Sequence, residues 1–167
     1  MKVFLYGNED VPIVKECRKL LEETEGVEIC TELDKADVAI APLLQEILPI
    51  EKINTPRLGT LIFHPSLLPR HRGADAIKWA FRMGEKYSGA TWFWADEGID
   101  TGPICEMEVI AIDEGERPGD YYNNKVIPAA IRLLRYILED LKKGIVRKRP
   151  QIHEYATYER PLRKATV

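Results

Sequence analysis

The stretch Gly59-Thr60-Leu61-Ile62-Phe63-His64-Pro65 constrains this chain more than any other. Its β-branched and aromatic residues read as a short buried strand. Pro65 and Pro69 then forbid an immediate helix, so the chain leaves a sheet at His64. Open α/β sheets hold ligands beyond the carboxyl ends of their strands, and a titratable ring delivered there is placed for chemistry. A surface-loop histidine beside a turn is the other reading that the local sequence allows.

Strand and helix patterns alternate around this point. "KVFLYG" (Lys2–Gly7) is a continuous apolar strand of the kind found buried in parallel sheets. "PIVKECRKLLEETEG" predicts a helix from Pro12 to Gly26, with Ile13, Cys17, Leu20 and Leu21 as its buried stripe. "VEICTE" and Ala36–Pro42 predict two more strands, the second followed by a short turn or helix through "LLQEILP". "ADAIKWAFRMGE" predicts a helix with Ile77, Ala80 and Phe81 inward, and "GATWFWADEG" a strand that runs into an acidic loop. "ICEMEVIAI" predicts a strand with Cys105, Met107, Val109 and Ala111 alternating against polar neighbours. Ile127, Ile131, Leu134, Leu138 and Leu141 form a helical stripe within Gly119–Lys143, and Pro128 should bend or restart that helix.

This pattern predicts an α/β fold, a doubly wound, mainly parallel sheet in one domain over residues 1–167, with an extended, surface-hugging tail from 146 to 167. His64 and Asp100 are expected at the carboxyl ends of neighbouring strands. A formal charge of −3 gives no basic excess for a nucleic-acid partner. No apolar run reaches the length of a membrane span, and "MKVFLYGNED" is too short an apolar run for a signal peptide. Cys17, Cys30 and Cys105 suggest neither a disulfide framework nor a zinc site, which predicts a reducing, cytoplasmic location.

A dinucleotide cofactor fails a direct check. The first strand is followed by "GNEDVP", which has neither a G-x-G-x-x-G turn nor a phosphate loop, and its carboxylates would repel a pyrophosphate. In "ADEGIDTGPI", Asp96, Glu97 and Asp100 lack the alternating ligands and terminal glutamate of a calcium loop, which argues against metal. Asp96 and Glu97 read locally as a solvated turn. Asp100 differs, because Thr101-Gly102-Pro103 locks the loop after it, and a carboxylate so held can orient an imidazole.

"HPSLLPRHRG" together with "DEGIDTGPI" resembles the paired signature of the 10-formyltetrahydrofolate-dependent formyltransferase family. Within that family the chain is most similar to the hydrolase domains of 10-formyltetrahydrofolate dehydrogenases, on "PRLGTLIFHPSLLPRHRGADAIKW", "FWADEGIDTGP" and "ATYERPL". The likeness is weak before Ala36, where one βα unit of the family is missing, so the resemblance implies a shortened N-terminal part. It implies further that His64 and Asp100 are the catalytic pair, His64 bonding to the formyl centre and moving protons while Asp100 orients the attacking group. Leu43, Leu44, Gln45, Glu46 and Ile47 correspond to one folate loop, and Ala95, Asp96, Glu97, Gly98 and Ile99 to the second. The two loops are expected to wall a flat slot, with Ile47 and Ile62 in apolar contact. The implied cofactor is 10-formyltetrahydrofolate as formyl donor, without a metal. The implied partners are that folate and a small acceptor amine or water; a tRNA acceptor and a membrane partner are not expected. A cis bond at Leu68–Pro69 is also implied.

One departure bears on activity. Most transferases of the family carry Asn two residues before the histidine, and here Ile62 stands there. Losing one such oxyanion donor typically costs about 10²–10³ in rate. The alternative is therefore a catalytically weak folate-binding module. Arg70, His71 and Arg72 read as an acceptor or anion contact, or equally as a solvated basic loop. Trp79, Trp92 and Trp94 read as core or pocket wall, Cys105 as core, and His153 receives no role.

Overall fold

The computed structural model describes residues 1–162, so the last five residues of the expected tail lie outside the described residues. Six strands form one sheet: β1 (Lys2–Leu5), β2 (Glu28–Cys30), β3 (Val38–Ala41), β4 (Thr60–His64), β5 (Tyr87–Trp94) and β6 (Ile104–Ala111). Their order is β2-β1-β3-β4-β5-β6. The pairings β1–β2, β1–β3 and β3–β4 are parallel, whereas β4–β5 and β5–β6 are antiparallel. The α/β class and the mainly parallel order follow from the alternation read above.

The helices are α1 (Pro12–Glu23), α2 (Ile50–Ile53), α3 (Ala76–Arg82), α4 (Pro118–Tyr121) and α5 (Ile127–Lys142). Side chains alternate across β4 and β5, so Leu61, Phe63, Ala90, Trp92 and Trp94 join the large core with α1 and α5. Trp92 is fully buried there, its ring 5.2 Å from Phe63, and its indole N–H donates to the α5 carbonyl of Ala130 at 2.9 Å. The opposite face carries a smaller apolar cluster of Leu68, Phe93 and Ile104, with Ile62 and Met107 packed against it. Loops and α2 cover this second face, and it is the face that holds the site.

Four local readings gain detail. No helix runs through "LLQEILP"; Pro49 disfavours helical backbone at Leu48, and α2 starts only at Ile50. The predicted β6 stripe also splits between faces. Phe93 pairs with Ile104 but Trp92 with Glu106, so Cys105 is an extra residue in β6. Cys105 and Ile110 therefore face the large core, whereas Met107 packs on the other side and Val109 is 61% exposed. Glu106 and Glu108 turn toward the helix-covered face, where Arg147 and the α5 residue Arg132 pair with them. The restart expected at Pro128 takes the form of a wide π-helical turn over Tyr122–Val126, directly before α5. Proline has no N–H for the preceding turn, and widening the turn accommodates that loss. The tail, finally, stays largely exposed among the described residues but is tied to the fold at set points. Arg149 pairs with Ile104 in both directions, at 2.7 and 2.9 Å, and Gln151 is only 5% exposed.

Removing the ring that ties α5 to the sheet should be costly. Trp92→Ala is expected to lose about 3–5 kcal/mol, read as a lower denaturant midpoint at unchanged slope.

Candidate active site

His64 is the last residue of β4 and is 7% exposed. It shares a face of the strand with Ile62, away from the large core. The segment that follows is pinned at each turn. Thr91 donates to the carbonyl of Ser66 at 2.7 Å, the Ser66 hydroxyl to the carbonyl of Arg70 at 2.7 Å, and the Arg70 amide to that of Leu67 at 2.9 Å. Leu68–Pro69 is cis, as the resemblance implied, and His71 takes φ +55°.

This path brings the backbone carbonyl of His71 to 2.6 Å from His64 Nε2. A carbonyl only accepts, so Nε2 carries the proton and donates to it. Nδ1 is left for chemistry. It lies 3.5 Å from Asp100 Oδ2, a gap close enough for a charge pair or a shared water.

Asp100 arrives by an unexpected route. Because β5 is antiparallel to β4, its carboxyl end at Trp94 pairs with Leu61, near the start of β4. The two residues are thus not at neighbouring strand ends of one sheet edge. Instead the loop 95–103 folds back until Asp100 meets His64. Trp94 and Pro103 close its neck through a 2.9 Å backbone bond. A Cβ on Gly102 would sit 1.6 Å from the Trp94 carbonyl oxygen, so only glycine fits. Asp100 itself takes φ +55°, and its Oδ2 accepts the Gly73 amide at 2.7 Å. Asp96 accepts the Gly98 amide and the Thr101 hydroxyl, which folds the acidic part of the loop on itself.

Before this pair lies a cavity of about 570 Å³, within the usual range of small-molecule sites. Leu43, Leu44, Gln45, Glu46 and Ile47 line it on one side, and Ala95, Asp96, Gly98, Ile99 and Asp100 also line it. Ile62, Phe93, Leu48 and Ile53 supply apolar wall. Of the residues expected around a folate, Glu97 alone is absent from the lining. Among the described residues, no amide of Leu43 to Ile47 donates to a backbone carbonyl. Ile47 and Ile99 are 78% and 52% exposed at this loop pair, large apolar groups left to water. Free backbone polar groups beside apolar walls suit a flat heteroaromatic ligand with a polar edge.

Arg70, His71 and Arg72 do not line the cavity. His71 is 1% exposed, with Nε2 2.9 Å from Glu85 and Nδ1 3.0 Å from Glu159. Burial alone would raise the Glu85 carboxyl, but hydrogen bonds from Arg70 and His71 outweigh it and hold it below the ordinary range. Arg72, 3% exposed, donates to Gln151 Oε1, to the Tyr158 hydroxyl at 3.0 Å and to His153 Nδ1 at 2.8 Å. His71 and Arg72 form an internal brace whose partners sit far along the chain, while Arg70 stays exposed and pairs with Glu85. Gln151 and His153 went unrecognised in the sequence, since a lone amide in an aperiodic tail gives no signal. Among the described residues, no group of three His, Cys, Asp or Glu side chains could hold a metal ion, and no helix is long and apolar enough to cross a membrane.

Comparison with known proteins adds an independent line. The formyl transferase family profile matches residues 15–134. Cytosolic 10-formyltetrahydrofolate dehydrogenase from Mus musculus is 39% identical over 132 residues, which is 79% of this chain and 15% of that protein. Methionyl-tRNA formyltransferase from Lachnospira eligens is 37% identical over 130 residues, 78% of this chain and 41% of that protein. The chain thus spans less than half the length of either relative. Among solved structures, HypX from Aquifex aeolicus in complex with tetrahydrofolic acid superposes with a TM-score of 0.77 at 25% identity, covering 95% of this chain and 29% of that one.

The hydrogen bond to the His71 carbonyl has a direct spectroscopic consequence. In its neutral form His64 should be the Nε2–H tautomer, shown by the ring nitrogen shifts in long-range ¹H–¹⁵N spectra; an Nδ1–H pattern would contradict the geometry.

Proposed function

The chain belongs to the formyl transferase family, and from that premise we propose that it moves the formyl group of 10-formyltetrahydrofolate to water or to a small acceptor amine. The observation that carries this reading is the His64–Asp100 pair, with Nδ1 unencumbered beside the cavity. The loops at 43–47 and 95–99 hold the pterin end of the folate, backbone amides reading its edge and Ile62 and Phe93 packing against its plane. When bound, the folate supplies an activated formyl carbon.

The chain's own groups do the rest. Asp100 Oδ2 is engaged by Gly73 and faces His64. Its Oδ1 takes no hydrogen bond among the described residues and is left to orient the attacking water or amine and receive its proton. His64, when protonated, is held by the His71 carbonyl at Nε2 and presents Nδ1–H to developing negative charge on the formyl oxygen. The same proton is then available to the departing nitrogen.

A tRNA acceptor does not form part of this reading, nor does a membrane partner. The cytoplasm is the proposed location, where Cys17, Cys30 and Cys105 stay reduced.

A second reading, a folate-binding module with feeble chemistry, rests on one observation. Ile62 lines the cavity on the same face as His64 and offers no hydrogen-bond donor.

Formate release from 10-formyltetrahydrofolate, with and without added amines, tests the proposal. His64→Asn and Asp100→Asn are each expected to lower the rate about 10²–10⁴-fold while folate binding persists. Binding without formate release in the wild-type chain would leave the module reading standing instead.

Ile62→Asn probes the missing donor directly. A well-placed carboxamide should raise the rate by up to about 10²-fold. The same change puts an amide in a partly buried position beside Phe93 and is expected to cost about 1–3 kcal/mol of stability. Rate and melting temperature are measured together; lower stability without a faster rate means the site is not arranged for formyl chemistry.

A further inference from the structure

Gln151 is a buried amide whose side-chain groups are fully used, and they join the two segments that carry the site. Its NH₂ group donates to the carbonyl of Asp100 at 2.9 Å and to that of Gly102 at 2.7 Å. Its Oε1 accepts from Arg72 Nε at 3.2 Å and Arg72 Nη2 at 2.7 Å. On one side, therefore, it holds the backbone of the loop that presents the Asp100 carboxylate. On the other it holds the residue between His71, whose carbonyl fixes the His64 ring, and Gly73, whose amide fixes Asp100 Oδ2.

Arg72 is in turn locked from the tail. Tyr158 and His153 accept two more of its N–H groups, and its guanidinium lies 5.4 Å from the centre of the Tyr158 ring. The Arg72 amide bonds to the Thr157 carbonyl at 2.9 Å. Nothing else among the described side chains bonds to the carbonyls of Asp100 and Gly102. The loop also has a reason to need holding, since Asp100 sits at φ +55°, a left-handed conformation that aspartate tolerates but does not favour.

We propose that Gln151 is a positioning residue for the formyl-transfer reaction, fixing the Asp100 carboxylate relative to His64 from behind the site. It touches neither reacting group nor the cavity, because it is absent from the cavity lining. It acts through one loop. A misplacement of about 1 Å in a catalytic group costs on the order of 10²-fold, so a lost tether in this position has a large kinetic effect. The proposal rests on the reading of His64 and Asp100 as the reacting pair.

The test uses Gln151→Glu in the full chain. This variant keeps an acceptor for Arg72 and replaces the donor to the two loop carbonyls with an oxygen that repels them. The expected result is a kcat lowered about tenfold to a hundredfold with KM for the folate changed less than about threefold. Hydrogen exchange supplies a readout independent of activity. The Gly73 amide, which bonds to Asp100 Oδ2, should exchange at least about tenfold faster, while the Ala39 amide of the parallel core exchanges as before. In an Asp100→Asn background, Gln151→Glu should add no further kinetic loss. An unchanged kcat, equal acceleration at Gly73 and Ala39, or losses that multiply with Asp100→Asn would overturn the proposal. Should Gln151→Glu fail to fold, Gln151→Met keeps the side-chain length without either polar group and takes the same readouts. If the wild-type chain releases no formate, the formyl-transfer reading fails on its own. The exchange at Gly73 against Ala39 then decides by itself whether Gln151 positions the loop.

Discussion

One hydrogen bond organises the site: His64 Nε2 donating to the carbonyl of His71 at 2.6 Å. It fixes which ring nitrogen is free, and hence which side of the imidazole can handle a proton. The rest of the neighbourhood serves to keep that carbonyl in place. Thr91 and Ser66 pin the turn after β4, Thr157 bonds to the His71 amide through its hydroxyl at 2.8 Å, and the His71 side chain is clasped between carboxylates. An imidazole that donates to a backbone carbonyl cannot swing away without leaving a buried acceptor unpaired, which costs about 1–3 kcal/mol. Orientation is thereby built into the fold before any ligand arrives.

The sheet divides its labour by face. One side takes the large aromatic and aliphatic residues of β4 and β5 under α1 and α5. The other keeps a small apolar cluster and gives its remaining area to loops. The extra residue in β6 sharpens this division. It turns Glu106 and Glu108 toward Arg147 and Arg132, and leaves Met107 beside the site-face cluster. The antiparallel direction of β5 then sends the Asp100 loop back along the face that is free.

What could be read in the sequence follows from how local each signal is. The strand into His64, the parallel first half and the helical stripe ending at Leu141 depend on near neighbours, and periodicity reports them. Pro128 marks an interruption for the same reason, although only coordinates reveal that it is a π-turn. The direction of β5 has no local signature, so the route by which Asp100 reaches His64 was hidden. Within Arg70-His71-Arg72 only Arg70 is exposed; His71 and Arg72 are buried, which a local reading misses because cationic residues look solvent-seeking until their partners are known. Those partners, Glu85, Gln151, Tyr158 and Glu159, lie in other elements and in a tail without pattern. The cavity loops at 43–47 and 95–99 were legible through resemblance to a family, not through any periodicity of their own.

The tail's long reach sets an order of events in synthesis. Gln151 meets Arg72 across 79 residues of chain, Thr157 meets His71 across 86, and Leu162 meets Asp75 across 87. Contacts this distant in sequence form late and at a high loop-closure cost. On a ribosome, β4 emerges with its histidine long before the residues that brace it. The nascent polypeptide therefore passes through a stage with a formed sheet but an unset His64–Asp100 pair, and that pair is braced only after residues 151–162 have left the exit tunnel.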